Sequence, residues 1–143
     1  MSKMVIVYWT QTGNTKKMAD LIAEGARDAG AEADVFDVSG IAADRTAEYE
    51  RIALGCPSMG AEVLEEDAFQ PFYDELSEKL AGKKVALFGS YGWGDGEWMR
   101  NWRDAAKESG ANLFGDEGLI VNYEPAGDDI ARCKDFGNGF ARY

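Results

Sequence analysis

Histidine is missing altogether from this 143-residue chain. Its absence removes imidazole general bases, His-containing catalytic triads and the commonest metal ligand together. Cysteine is nearly as scarce. Cys56 and Cys133 lie far apart, with no CxxC pair and no neighbouring ligand cluster, so neither a zinc site nor a disulfide framework is indicated and buried free thiols are expected. Positive charge is also in short supply: 15 Lys and Arg stand against 26 Asp and Glu, a formal net charge of −11. Such a chain repels phosphate backbones, which disfavours nucleic acid, and basic proteins are its natural partners, although solubility alone would also account for the excess. No stretch approaches the roughly 20 apolar residues of a membrane span. The opening Met1-Ser2-Lys3-Met4 runs into a strand-like segment without a signal-peptide pattern, and a cytoplasmic protein is expected. Repeats, low-complexity tracts and linkers are lacking too. A single domain over 1–143 follows, with 45% hydrophobic residues to supply one core.

Met4 to Trp9 is a continuous apolar run rich in β-branched residues, the mark of a central strand buried on both faces. After it, Met18, Ile22, Ala26 and Ala29 recur at helical spacing up to a stop at Gly30. Glu32–Val38 reads as an edge strand because charges intrude on its alternation. Ser39–Glu50 has poor periodicity, consistent with a short helix, and Arg51–Cys56 is a third strand ended by Pro57. Phe69, Phe72, Leu76 and Leu80 form the apolar stripe of a helix over 68–80, and Val85–Ser90 is the fourth strand. A helix over about 97–109 presents Trp98, Trp102 and Ala105. The fifth strand reads as split, Asn112–Phe114 and Leu119–Val121, around Gly115–Gly118, and a last helix spans about 128–141. Alternating strands and helices predict a doubly wound α/β fold, with a parallel sheet, helices on both faces and right-handed crossovers.

In open parallel sheets ligands bind beyond the carboxyl ends of the strands, which directs attention to three loops. Thr10-Gln11-Thr12-Gly13-Asn14-Thr15 is dense in hydroxyl and amide donors just before a helix, where backbone N–H groups and the helix dipole favour an anion. It has neither the Lys-Ser/Thr of a P-loop nor GxGxxG. A neutral cradle of this kind suits a terminal phosphomonoester; alternatively, Asn14 or Thr15 simply caps the helix. Ser90-Tyr91-Gly92-Trp93-Gly94-Asp95 sets a tryptophan among glycines at a strand terminus. Stacking on a flat aromatic ligand explains it, unless the indole folds back over its own helix. Pro57-Ser58-Met59-Gly60-Ala61-Glu62 offers a polarizable thioether, a flexible glycine and a carboxylate; taken alone it is only a turn, with Met59 as core filler and Glu62 as a solvated charge.

Together these segments resemble flavodoxins, specifically the short-chain kind of anaerobic bacteria, through almost the whole chain. Thr10 to Thr15 is similar to the family's phosphate loop, Met59 to Glu62 to its flavin-switch loop, and Gly89 to Gly96 to its second ring-binding loop. Gln11 stands where glycine is frequent and Ala61 where many relatives carry aspartate. Flavodoxins are themselves a standard instance of the strand-end rule. The resemblance implies a flavodoxin-like five-stranded sheet of order 2-1-3-4-5 and non-covalent flavin mononucleotide (FMN). Thr10, Thr12, Asn14 and Thr15 would bind its phosphate, and Met59 and Trp93 would sandwich the isoalloxazine. Glu62 would accept from flavin N3–H, and Gly60 would offer its carbonyl to N5–H. Glycine at the first central position of a four-residue turn, Met59 to Glu62, permits the positive φ of a type II′ turn and a cheap peptide flip.

The expected function is a low-potential, monomeric one-electron carrier rather than an enzyme with its own substrate, serving redox partner proteins with basic docking surfaces. Glu62, Glu65, Glu66, Asp67, Asp95 and Glu97 are expected to cluster around the exposed flavin edge. The competing flavoprotein reading is an FMN-dependent quinone or NAD(P)H oxidoreductase, for which no second substrate site is evident. A phosphoacceptor receiver domain would need an acidic pair after strand one and an aspartate ending strand three, where this chain has Thr10-Gln11 and Cys56-Pro57.

Overall fold

The computed structural model describes residues 3–143, so the Met1-Ser2 part of the expected leaderless N-terminus lies outside the described residues. In chain order the elements are β1 (Lys3–Tyr8), α1 (Asn14–Asp28), β2 (Glu32–Asp37), a 3-10 turn (Val38–Gly40), α2 (Ala43–Thr46), β3 (Arg51–Gly55), α3 (Phe69–Ser77), β4 (Lys84–Tyr91), α4 (Glu97–Glu108), β5 (Asn112–Leu113), β6 (Leu119–Asn122) and α5 (Asp128–Arg142). All strand pairings in the sheet are parallel, in the order β2-β1-β3-β4-β5, with β6 also on β4. β5 pairs with Lys84 and Val85, β6 with Phe88 to Tyr91. The two short strands therefore share the fifth position, as the interrupted hydrophobic pattern predicts. β2 is the charged edge strand.

Successive side chains of β1 enter opposite layers. Met4, Ile6 and Tyr8 join Met18, Ile22 and Ala26 of α1 and Cys133 and Phe140 of α5, whereas Val5 and Val7 join Phe69 and Leu76 of α3 and Trp98 and Trp102 of α4. This two-sided burial is why the strand reads as a continuous apolar run. One expectation on α4 fails: Ala106 is buried and Ala105 exposed. Met99 is buried as well, so the apolar arc is centred between Trp98 and Met99, which brings Ala106 inside it and leaves Ala105 on the flank. α1 and α5 meet at glycines. A Cβ on Gly25 would run into the backbone of Lys134, and one on Gly137 into that of Ile22, so only glycine permits this approach.

Cys56 and Cys133 are buried and unpaired, as expected. Burial pushes the Cys56 thiol up to about 12, so it is inert as a nucleophile. Glu65 departs from expectation. It is buried, and its carboxylate accepts from the backbone N–H groups of Asp67, Ala68 and Phe69 at 2.8, 2.8 and 2.7 Å, which caps the start of α3. It is a structural anion, not a surface charge. Burial alone would raise this carboxyl, but the three N–H bonds outweigh it and hold its pKa below the usual value of 4.5.

Folding therefore favours ionised Glu65. Its stabilisation is complete above the unfolded-chain pKa of about 4.5 and is lost as pH falls through the lowered folded value. Glu65→Gln is expected to cost about 1–2 kcal/mol at neutral pH. It should also shrink the acid-side loss of stability. Urea midpoints measured on both proteins across this range test the pair of effects, and identical acid limbs would exclude Glu65 as a contributor.

Candidate functional site

At the carboxyl end of the sheet, between the tips of β1, β3 and β4, lies a cleft of about 220 Å³. Thr10, Gln11, Thr12, Asn14, Thr15, Pro57, Ser58, Met59, Ser90, Tyr91 and Gly92 line it, joined by Tyr123. Three loops far apart in sequence thus converge, because the parallel register aligns their strand ends. Of the remaining predicted residues, Gly13 is the N-cap of α1, while Gly60, Ala61, Trp93, Gly94 and Asp95 are exposed and Glu62 is buried.

The first loop leads into α1 without a side-chain cap. Thr10 Oγ1 accepts from Gly13 N–H at 3.0 Å and so shapes the loop. Thr15 is not a cap either: its hydroxyl is buried and lies 3.0 Å from the Ser90 hydroxyl, tying the first loop to the end of β4. Among the described residues, the backbone N–H groups of Gln11, Thr12, Asn14, Thr15 and Lys16 have no acceptor. α1 also carries no acidic residue in its first turn, whereas α4 has Glu97 and α5 has Asp128 and Asp129. The positive end of α1 is therefore left open to an anion. Lys16 is paired with Asp20 at 3.0 Å and Lys17 with Glu124 at 3.5 Å, so amides and hydroxyls, not a free cation, set the character of the cradle.

The second loop differs from the four-residue turn read in the sequence. It is a hairpin closed one residue later, with Met59 N–H donating to Val63 O at 2.8 Å and Val63 N–H to Met59 O at 2.9 Å. Gly60 and Glu62 both have positive φ, 50° and 55°. Lengthening the turn lets the Glu62 side chain reach inward, where its Oε1 accepts from Gly96 and Glu97 N–H at 3.3 and 3.2 Å. Glu62 caps α4 and links the second loop to the third; it is not a solvated charge. Asp95 pairs with Arg100 at 2.9 Å, and that hydrogen bond lowers its carboxyl pKa. With Glu62 and Glu65 committed to helix ends, Glu66, Asp67 and Glu97 are the unpaired exposed members of the expected acidic group.

In the third loop Trp93 is 64% exposed, so its indole does not fold back over α4. Trp98 fills that place: it is 2% exposed, donates from Nε1 to Cys56 O at 3.2 Å and lies 5.6 Å from the Tyr91 ring. Sequence reasoning missed Tyr123. Its position just past the end of β6 was the available signal, since the strand-end rule applies to the fifth strand as much as to the other three.

Comparison with known proteins agrees with this geometry. A family model described as Flavodoxin matches residues 6–137. The chain is 47% identical to a flavodoxin of Clostridium beijerinckii over 139 residues, covering 96% of this chain and 99% of the relative. It is 44% identical to a flavodoxin of Megasphaera elsdenii over 137 residues, covering 96% and 97%. The solution structure of the two-electron reduced Megasphaera elsdenii flavodoxin superposes with a TM-score of 0.90 at 43% identity, over 98% of this chain and 99% of that one. The chain belongs to the flavodoxin family of FMN-binding electron carriers.

Proposed function

We propose that this protein is a monomeric, single-domain, cytoplasmic one-electron carrier that holds one FMN non-covalently across the three loops and serves larger redox proteins. The observation that carries the reading is the open N-terminus of α1 facing a cleft that all three loops line. The unpartnered amides of Gln11, Thr12, Asn14, Thr15 and Lys16, with the side chains of Thr10, Thr12, Asn14 and Thr15, suit a terminal phosphate. Thr10 Oγ1 already accepts from Gly13, so its own O–H is free to donate. No described residue supplies a second anion-binding end there, which favours a mononucleotide.

The ring would lie between Met59 and Trp93, with the backbones of Pro57, Ser58, Ala61, Tyr91, Gly92, Gly94 and Asp95 around its edge. Trp93 offers a large exposed face for stacking. Both amide bonds of Glu62 fall on Oε1, leaving Oε2 to accept from ring N3–H. Bound FMN supplies the redox chemistry, taking up electrons singly with a proton at N5. Toward N5 the chain would offer the Gly60 carbonyl, which would accept a hydrogen bond from N5–H. The Gly60–Ala61 peptide would turn toward it at little steric cost, because residue 60 is a glycine at positive φ.

Apoprotein titrated with FMN and with riboflavin tests the phosphate assignment. FMN is expected to bind about 100-fold more tightly or better, equivalent to ~2.7 kcal/mol; equal affinities would overturn it. A Cβ at position 60 meets nothing within 4 Å, so the effect of Gly60→Ala isolates the cost of positive φ. In a redox titration the two one-electron potentials of the variant should draw together, by roughly 60 mV per ~1.4 kcal/mol lost at the turn. An unchanged separation would remove Gly60 from the mechanism. For the partners, the support is the net charge of −11 with Glu66, Asp67 and Glu97 exposed beside the ring loops. Stopped-flow electron transfer to a basic redox protein should slow steeply as the Debye length falls from ~10 Å at 0.1 M salt to ~3 Å at 1 M. A flat profile would reduce the acidity to a solubility device.

A further inference from the structure

Tyr123 is a large side chain that neither the three-loop site nor the core employs. Its ring is 62% exposed, so burial does not account for its placement. Its backbone φ is 60°, a left-handed conformation that bulky residues seldom adopt. Strain of this sort persists where the surroundings over-determine it and is concentrated at ligand sites.

The surroundings do hold it. Tyr123 N–H donates to Tyr91 O at 2.8 Å, and Asn122 Nδ2 donates to the same oxygen at 3.2 Å. On the other side, Glu124 pairs with Lys17 of α1 at 3.5 Å. The segment is thereby anchored both to the start of the third loop and to the first turn of α1. Its ring lies beside Gly92, where a Cβ would come within 3.3 Å of Tyr123 Cε1. It lines the same cleft as the phosphate cradle. Tyr91, the other aromatic ring of that lining, is occupied with Trp98.

We propose that Tyr123 is a further ligand-contacting residue, its ring forming the outer wall of the cleft and packing on the polyol–phosphate chain of bound FMN. This rests on the assignment of the cleft to FMN. A ring in that position excludes water from the phosphate and its amide donors. That matters in a cradle without a free cation, because hydrogen bonds to an anion strengthen as the local dielectric falls.

FMN release from holoprotein, followed by the fluorescence of freed flavin, tests the assignment in the parent, Tyr123→Asn and Tyr123→Phe. Asparagine tolerates positive φ, so the first variant removes the ring while sparing the loop conformation. Tyr123→Asn should release FMN about tenfold faster, the equivalent of ~1.4 kcal/mol. Tyr123→Phe should stay within a factor of about three of the parent, and urea unfolding of the apoproteins should be unchanged in Tyr123→Phe and unchanged or shifted to higher urea in Tyr123→Asn, where asparagine accepts the positive φ. An unaltered release rate in Tyr123→Asn, an equal loss in Tyr123→Phe, or a loss matched by apoprotein destabilisation would overturn the proposal. If the parent prefers FMN to riboflavin while Tyr123→Asn behaves like the parent, the Tyr123 assignment alone falls; a parent without that preference fails both.

Discussion

The first turn of α1 presents a partial positive charge and several backbone N–H groups that nothing in the described chain neutralises. Its location follows from the sheet. β1 is central, with β2 on one side and β3 on the other, so the helix that leaves β1 begins where the strand order reverses. A helix end left without an acceptor costs stability unless water or a ligand satisfies it. Its neighbours carry no such cost: α3 is capped by Glu65 and α4 by Glu62. Unlike α3, α4 and α5, α1 is given no internal anion at its start, which leaves that end open to an external one.

Glu62 carries the second constraint. By bonding to the amides of Gly96 and Glu97 from a residue with positive φ, it ties the hairpin of the second loop to the helix behind the third. The two loops that would bracket the ring are therefore positioned by one carboxylate. The same use of acidic side chains inside the fold alters the meaning of the net charge. Glu62 and Glu65 serve helix ends and Asp95 is paired with Arg100, so charge available for steering resides in a smaller set of exposed residues than the composition implies.

Sequence periodicity located every major helix and strand to within a few residues, because each element buries a face whose spacing is written into the chain: alternate layers for β1, a stripe of Phe69, Phe72 and Leu76 for α3. The donor-rich loop before α1 was legible for a related reason, since hydroxyl and amide donors before a helix are local chemistry. The Ala105 expectation failed because spacing alone does not fix the centre of a buried arc; Met99, next to Trp98, moved it.

The fold class, the strand-end loops and the run of hydroxyl and amide donors before α1 were thus determined by the sequence itself, through short-range periodicity and residue chemistry. Tertiary structure alone decided the rest. Glu62 caps a helix more than thirty residues away, the hairpin closes at Val63 and not at Glu62, and Tyr123 returns from the fifth strand position to the first loop's cleft. Each depends on which strand ends the parallel register brings side by side, and that is a long-range property: a carboxylate has the same local signature whether it meets water or an amide from a distant helix.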